Sequence, residues 1–192
     1  MNARLGHRRT VTCAYTLIEL LIVIAVLGIA GALLIPHLAY KDSLASQAAV
    51  RLLISDLSFA QSDALANQEF RRVYFYPDGT GYCIVRVTEA NFGLPFDPNT
   101  ADYIDDPLGV VGEAGRYIVD FTTKNRFDNV SISAVSIDGG NPYVTYDALG
   151  GTVMTGGAAP GTGGPIYVQA ADNLYRIDIA PFVGKLTVTK MP

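Results

Sequence analysis

At 192 residues, 49% hydrophobic and 17% charged, the chain is long enough for one modest core. Its formal charge of −4 opposes a general nucleic-acid binder, a class that presents a basic surface. The two histidines are His7 and His37, so everything after residue 37 lacks the means for a Ser-His or Cys-His catalytic pair or a His-ligated metal centre.

In chain order, residues 1–14 carry Arg4, Arg8 and Arg9 and no acid. The stretch from Tyr15 to Pro36, YTLIELLIVIAVLGIAGALLIP, has no charge between Leu20 and Ile35. At ~1.5 Å per residue it matches a bilayer core, and it reads as one membrane-spanning helix. The preceding arginines keep its N-terminus cytoplasmic and send the rest outward. Glu19 stands five residues into this helix, where an ionised carboxylate costs about 2.5–3.5 kcal/mol on insertion scales, so it asks for a partner. A plain single-span anchor leaves Glu19 unexplained. A secretory signal peptide is opposed because the run ends at Pro36-His37-Leu38 and not at a small-x-small cut site.

Residues 37–70 continue as an amphipathic helix: Ser43 to Phe70 lacks Gly and Pro and is rich in Ala and Leu. Val50, Leu53, Ile54, Leu57, Ala64 and Leu65 form its apolar stripe, with Arg51, Ser55, Ser58, Ser62 and Asp63 off it. Pro36 is expected to kink or loosen the junction, and Gly28 and Gly31 either weaken the helix ahead of it or allow close helix packing in lipid.

Residues 71–192 read as a β-rich domain. Arg72–Tyr76 and Tyr82–Val87 flank the turn Pro77-Asp78-Gly79-Thr80-Gly81 as a hairpin. Residues 89–116, with Pro95, Pro98 and Pro107, are too irregular for a buried element and are expected as a surface loop. Strands are predicted at Tyr117–Thr123, Val130–Ile137 and Tyr143–Asp147. After a flexible Gly-rich loop over residues 150–164, more follow at Ile166–Ala170, Leu174–Ile179 and Lys185–Thr189. The fold class is α+β: one long N-terminal helix packed on an antiparallel sheet domain.

The order basic leader, small residue, then Tyr15-Thr16-Leu17-Ile18-Glu19-Leu20 and an apolar run resembles the processing site of type IV prepilins and pseudopilins. Ala14 stands where that family commonly has Gly, and Tyr15 where it commonly has Phe. The plan of helix then sheet, with Leu52 to Gln68, Tyr146-Asp147-Ala148-Leu149-Gly150 and Tyr175-Arg176-Ile177-Asp178, is similar to the GspH/FimT group of minor pseudopilins. This resemblance implies a type IV pilin-like fold. It also implies a prepilin peptidase that cuts between Ala14 and Tyr15, removes residues 1–14 and N-methylates the Tyr15 amine. It further implies that Glu19 pairs with a neighbouring subunit's N-terminal amine while Leu17, Ile18 and Leu20 onward pack between helices. The implied product is a single-pass inner-membrane subunit with a periplasmic C-terminal domain, assembling with other pilins or pseudopilins into a filament of a type II secretion system or type IV pilus. Loss of the three leader arginines leaves −7 on the mature side chains. A DNA-uptake minor pilin is the alternative, but Gly184-Lys185-Leu186-Thr187 lacks the arginines of that branch's C-terminal motif, and the acidic balance opposes nucleic acid. A membrane-anchored hydrolase is the enzyme-class alternative, and the missing histidines argue against it.

No cofactor is called for. Cys13 falls in the leader, so Cys83 has no intramolecular disulfide partner after processing and reads as a packed residue of an alternating strand. Asp97, Asn99, Asp102, Asp105 and Asp106 offer oxygens of the kind Ca²⁺ takes, but their spacing does not match an EF-hand loop, and a solvated acidic loop is the plainer reading.

Overall fold

The computed structural model describes residues 16–107, 115–123, 127, 129–154, 159–170 and 173–192, with the side chains of residues 33–43 outside the description. The chain divides into two compact units, Met1–Tyr40 and Lys41–Pro192. Helix α1 is Leu17–Asn67. In the second unit its last turns pack on two antiparallel four-stranded sheets. One sheet holds β1 (Phe70–Phe75), β2 (Gly81–Val87), β3 (Ile118–Asp120) and β5 (Tyr143–Tyr146) in the order β3-β2-β1-β5. The other holds β4 (Val130–Val135), β6 (Gly164–Ala170), β7 (Asn173–Ile179) and β8 (Leu186–Met191) in the order β4-β6-β7-β8. The sequence predicted one sheet. The chain leaves the first sheet at β4 and returns to it at β5, a long-range pairing with β1 that no local pattern encodes.

Ala49, Leu53, Leu57, Ala60 and Ala64 are fully buried, and their steps of four and three residues keep them on one helical face. Val50 joins them. Ile54 is at the margin, and Leu65, expected in the stripe, is 55% exposed because it lies one residue round the helix from Ala64. Facing the stripe are Val73 and Phe75 of β1, Tyr82 and Ile84 of β2, Ile166 and Val168 of β6, and Ile177 and Ile179 of β7. Within that core the Tyr82 hydroxyl donates to the buried Asp56 carboxylate at 2.6 Å, a hydrogen bond between the helix and the first sheet. Burial, reinforced by Asp56, holds the Tyr82 and Tyr117 hydroxyls well above their ordinary range.

The helix was expected to reach residue 70 and stops at Asn67. Gln68 takes a left-handed φ of 54°, and the Glu69 N–H donates to the Ala64 carbonyl at 3.2 Å, a Schellman ending made with glutamine in place of the usual glycine. The chain thereby turns straight into β1. An ionic chain braces this corner. Arg71, 2% exposed, contacts Asp63 of the helix and, at 2.9 Å, Glu69. Glu69 also meets Arg86 at 3.0 Å, and Arg86 meets Asp102 at 2.9 Å. Hydrogen bonding to Arg71 lowers the Glu69 carboxyl below its ordinary range.

The β1–β2 turn is held by Asp78, whose Oδ1 accepts from the Thr80 N–H at 3.0 Å and hydroxyl at 2.8 Å. Gly79 has φ 74°, and a Cβ there would lie 2.6 Å from the Ile132 carbonyl oxygen, so only glycine lets the hairpin tip reach β4. The Ile132 N–H donates to the Gly79 carbonyl at 2.9 Å, joining the two sheets.

The loop over residues 89–116 departs from expectation. Phe92 is buried, and with Phe96, Ala101 and Tyr103 it packs on Cys83, Val85 and Val87 on the outer face of the first sheet, while Ile104 is buried in the main core. Residues 108–114 lie outside the described residues. The Gly-rich tract is likewise tied down where it is described: Thr152 and Val153 are buried, with their N–H groups donating to Phe182 and Thr145 carbonyls, each at 2.9 Å. Residues 155–158 lie outside the described residues.

Leu53→Ala is expected to cost about 2–5 kcal/mol, because the stripe cannot collapse between two sheets. Ser55→Ala, on the exposed side, is expected to leave the urea midpoint where it is. Equilibrium urea unfolding followed by far-UV circular dichroism checks both.

Candidate functional site

The first unit offers a helix start and an apolar surface. Thr16 is the N-cap of α1: its carbonyl accepts from the N–H groups of Glu19 at 3.1 Å and Leu20 at 3.2 Å, and its hydroxyl oxygen accepts from the Glu19 N–H at 3.3 Å. Glu19 Oε2 reaches back to accept from the Thr16 N–H at 3.3 Å and the Thr16 hydroxyl at 3.5 Å. This is a capping box, worth about 0.5–2 kcal/mol to a helix, with the carboxylate at the positive end of the helix dipole. Glu19, which the sequence left seeking a partner, has one three residues away. The Thr-x-x-Glu spacing of Thr16-Leu17-Ile18-Glu19 carried that signal.

From Leu20 to Ala32 every side chain is apolar. Leu17 is 84% exposed, and Ile18, Leu20, Ile22, Ile24 and Leu27 are exposed as well, spread over every side of the stretch. Among the described residues no helix is long and apolar enough to cross a membrane. The expected span over residues 15–36 runs past both ends of the stretch whose side chains are described, 16–32. Ala14 and Tyr15, the expected cleavage and methylation positions, lie outside the described residues.

The acids of the long loop are used one by one. Asp97 Oδ1 accepts from the Asn99 N–H at 2.9 Å and the Asn99 side-chain amide at 3.1 Å. Asp102 pairs with Arg86. Asp105 bridges through its backbone to Arg116, and the buried Asp106 donates its N–H to the Gly115 carbonyl at 2.8 Å. Among the described residues no three His, Cys, Asp or Glu side chains gather at one point.

Arg72 is the residue sequence reasoning passed over. In a strand, consecutive side chains point to opposite faces, so Arg71 and Arg72 had to divide between the helix side and the outer side. Arg72 faces outward and is nevertheless only 6% exposed. Its guanidinium carbon lies 4.2 Å from the Tyr143 ring centroid and 4.9 Å from that of Phe92, two cation–π contacts. Its Nε donates to the Thr145 hydroxyl at 2.9 Å and its Nη2 to the Phe92 carbonyl at 2.8 Å. No carboxylate pairs with it among the described residues. Burial lowers its proton affinity from the ordinary arginine value. Beside it, Val85, Val87, Leu94, Phe96 and residues of the loop enclose a cleft of ≈ 270 Å³.

Two further features complete the second unit. Cys83 is fully buried against the Tyr76 hydroxyl, and burial pushes its thiol up to about 12. A second cleft, of ≈ 600 Å³, opens at the end of the helix, where Gln61 Nε2 donates to the carbonyls of Gly150 at 2.6 Å and Val183 at 2.8 Å. Leu65, Leu149, Phe182 and Val183 form its exposed apolar rim. Gly184, Lys185, Leu186 and Thr187 make the turn into β8.

Comparison with known proteins finds no matching family model, no matching curated protein and no matching solved structure.

Cys83 yields a pH prediction. Its folded pKa of about 12 lies above the ordinary thiol value, so between roughly pH 9 and 12 the folded state holds a proton that the unfolded chain has released. That contribution to stability is therefore complete below pH 9 and is lost as pH rises toward 12. In the native protein at pH 8 Cys83 is expected to resist thiol-labelling reagents that react with it at once in denaturant. Cys83→Ala is expected to flatten the alkaline fall in urea midpoint.

Proposed function

We propose that this chain is a minor pseudopilin or pilin-like subunit that assembles, through its N-terminal helix, into a filament of a type II secretion system or type IV pilus. The observation that carries the reading is the stretch from Leu17 to Ala32, apolar on every side and exposed, with a single carboxylate, Glu19, in its first turn. A helix of that kind is stable only in lipid or among other helices. The order Ala14-Tyr15-Thr16-Leu17-Ile18-Glu19 supports the same reading, as does an α+β unit whose helix packs on antiparallel sheets.

In this mechanism the subunit waits as a single-pass inner-membrane protein with its C-terminal domain in the periplasm. A prepilin peptidase cuts between Ala14 and Tyr15 and methylates the Tyr15 amine. On entry into the filament, Glu19 trades its contacts with Thr16 for the cationic N-terminal amine of a neighbour. The carboxylate and the amine desolvate together, which offsets a cost neither bears well alone. The pilin-like fold, with its transmembrane and amphipathic helix halves, belongs to this proposal, and so does the absence of catalysis by the chain itself.

N-terminal mass analysis of the protein from cells that contain the peptidase is expected to find Tyr15 first. An unprocessed Met1 form there would sink the reading. Glu19→Gln separates the two roles of the acid, because glutamine still closes a capping box but carries no charge. Glu19→Gln and Glu19→Ala are both expected to accumulate in the membrane and to fail to crosslink into fibres. Normal crosslinking of Glu19→Gln would reduce Glu19 to a helix cap and remove the charge pair from this mechanism.

A further inference from the structure

We infer that the cleft beneath the long loop binds a small organic acid, one carboxylate on an apolar body, anchored by Arg72. The inference does not depend on the filament reading. A guanidinium has five N–H donors, and Arg72 spends one from Nε and one from Nη2. Among the described residues no partner takes the N–H groups of Nη1. Arg72 lines the cleft of ≈ 270 Å³. Two rings lie against the guanidinium, which leaves its plane as the direction in which a carboxylate is bound through two oxygens. The site is built before any ligand arrives: the cation is held by two rings, a hydroxyl and a carbonyl, and its counter-charge is missing among the described residues.

The walls select the ligand. Val85, Val87, Leu94 and Phe96 present apolar surface to whatever the carboxylate carries. The other charges around the cleft are Arg86, Asp97 and Asp102. Arg86 is already paired with Glu69 and Asp102, which leaves Arg72 and one exposed acid, Asp97, among the charges that line the cleft. That acid penalises multiply charged anions such as phosphate, while a single carboxylate seated on Arg72 answers one positive charge with one negative. The volume suits a molecule the size of a single side chain.

Isothermal titration of the full chain in detergent micelles tests this with phenylacetate, its neutral isostere phenylacetamide, and inorganic phosphate. Phenylacetate is expected to bind saturably, with the amide and phosphate each about tenfold weaker or worse. Arg72→Met is expected to abolish phenylacetate binding. Because Arg72 also holds the loop, Leu94→Glu serves as a second variant at an exposed position of the cleft: it is expected to fold and to weaken phenylacetate about tenfold, with Leu94→Gln close to the parent. Absence of phenylacetate binding, equal binding of phenylacetamide or phosphate, or indifference to Leu94→Glu would each overturn the assignment.

Discussion

The stripe from Ala49 to Ala64 is the surface on which both sheets of the second unit close. Each sheet buries one face against the helix and the other sheet, and the first also buries its outer face beneath the long loop. Alanine at positions 49, 60 and 64 lets strands come near the helix backbone, while Leu53 and Leu57 fill the space between. Asp56 adds direction to an otherwise non-directional contact. A buried carboxylate that accepts from Tyr82 has to face β2, so sliding or rotating the helix would strand a charge in the core. Apolar area supplies most of the stability here, and this polar contact, with those of Asp63 and Gln61, favours one rotation of the helix.

The same division of labour appears on the other side of the first sheet. Arg71 and Arg72 are neighbours in sequence with opposite surroundings, one compensated by acids and one by aromatic rings. The first ties the strand to the helix. The second ties it to the loop that covers its outer face, and it does so without a carboxylate. In such a place the guanidinium keeps its charge because π faces and a carbonyl replace part of its hydration.

Much of this was legible in the sequence, for reasons that residues make plain. Ile166, Val168 and Ala170, and then Tyr175, Ile177 and Ile179, alternate cleanly, and their strands lie where the alternation put them. The helix was legible from its lack of Gly and Pro, but not its end, since glutamine at Gln68 does the work usually signalled by glycine. The partition into two sheets was hidden because it turns on β5 pairing with β1 across many residues. The burial of Phe92 and Ile104 was hidden too, because isolated apolar residues among prolines and acids show no period. At the N-terminus the chemistry of Glu19 was legible as a cost, and the Thr16 cap that answers it was overlooked in favour of a partner outside the chain. Arg72 lay in plain alternation, yet alternation predicts a direction and not what waits there.

The bond between Ile132 and Gly79 gives the two sheets a property that neither has alone. Two layers packed only by apolar contact behave like the covers of a book and can hinge apart at one edge with little directional resistance. Here the tip of one hairpin is fastened to a strand of the opposite cover, and the glycine that permits the approach leaves no slack for a side chain. Opening at that edge must break a hydrogen bond as well as part apolar faces, so the β domain resists splaying as a clasped object does.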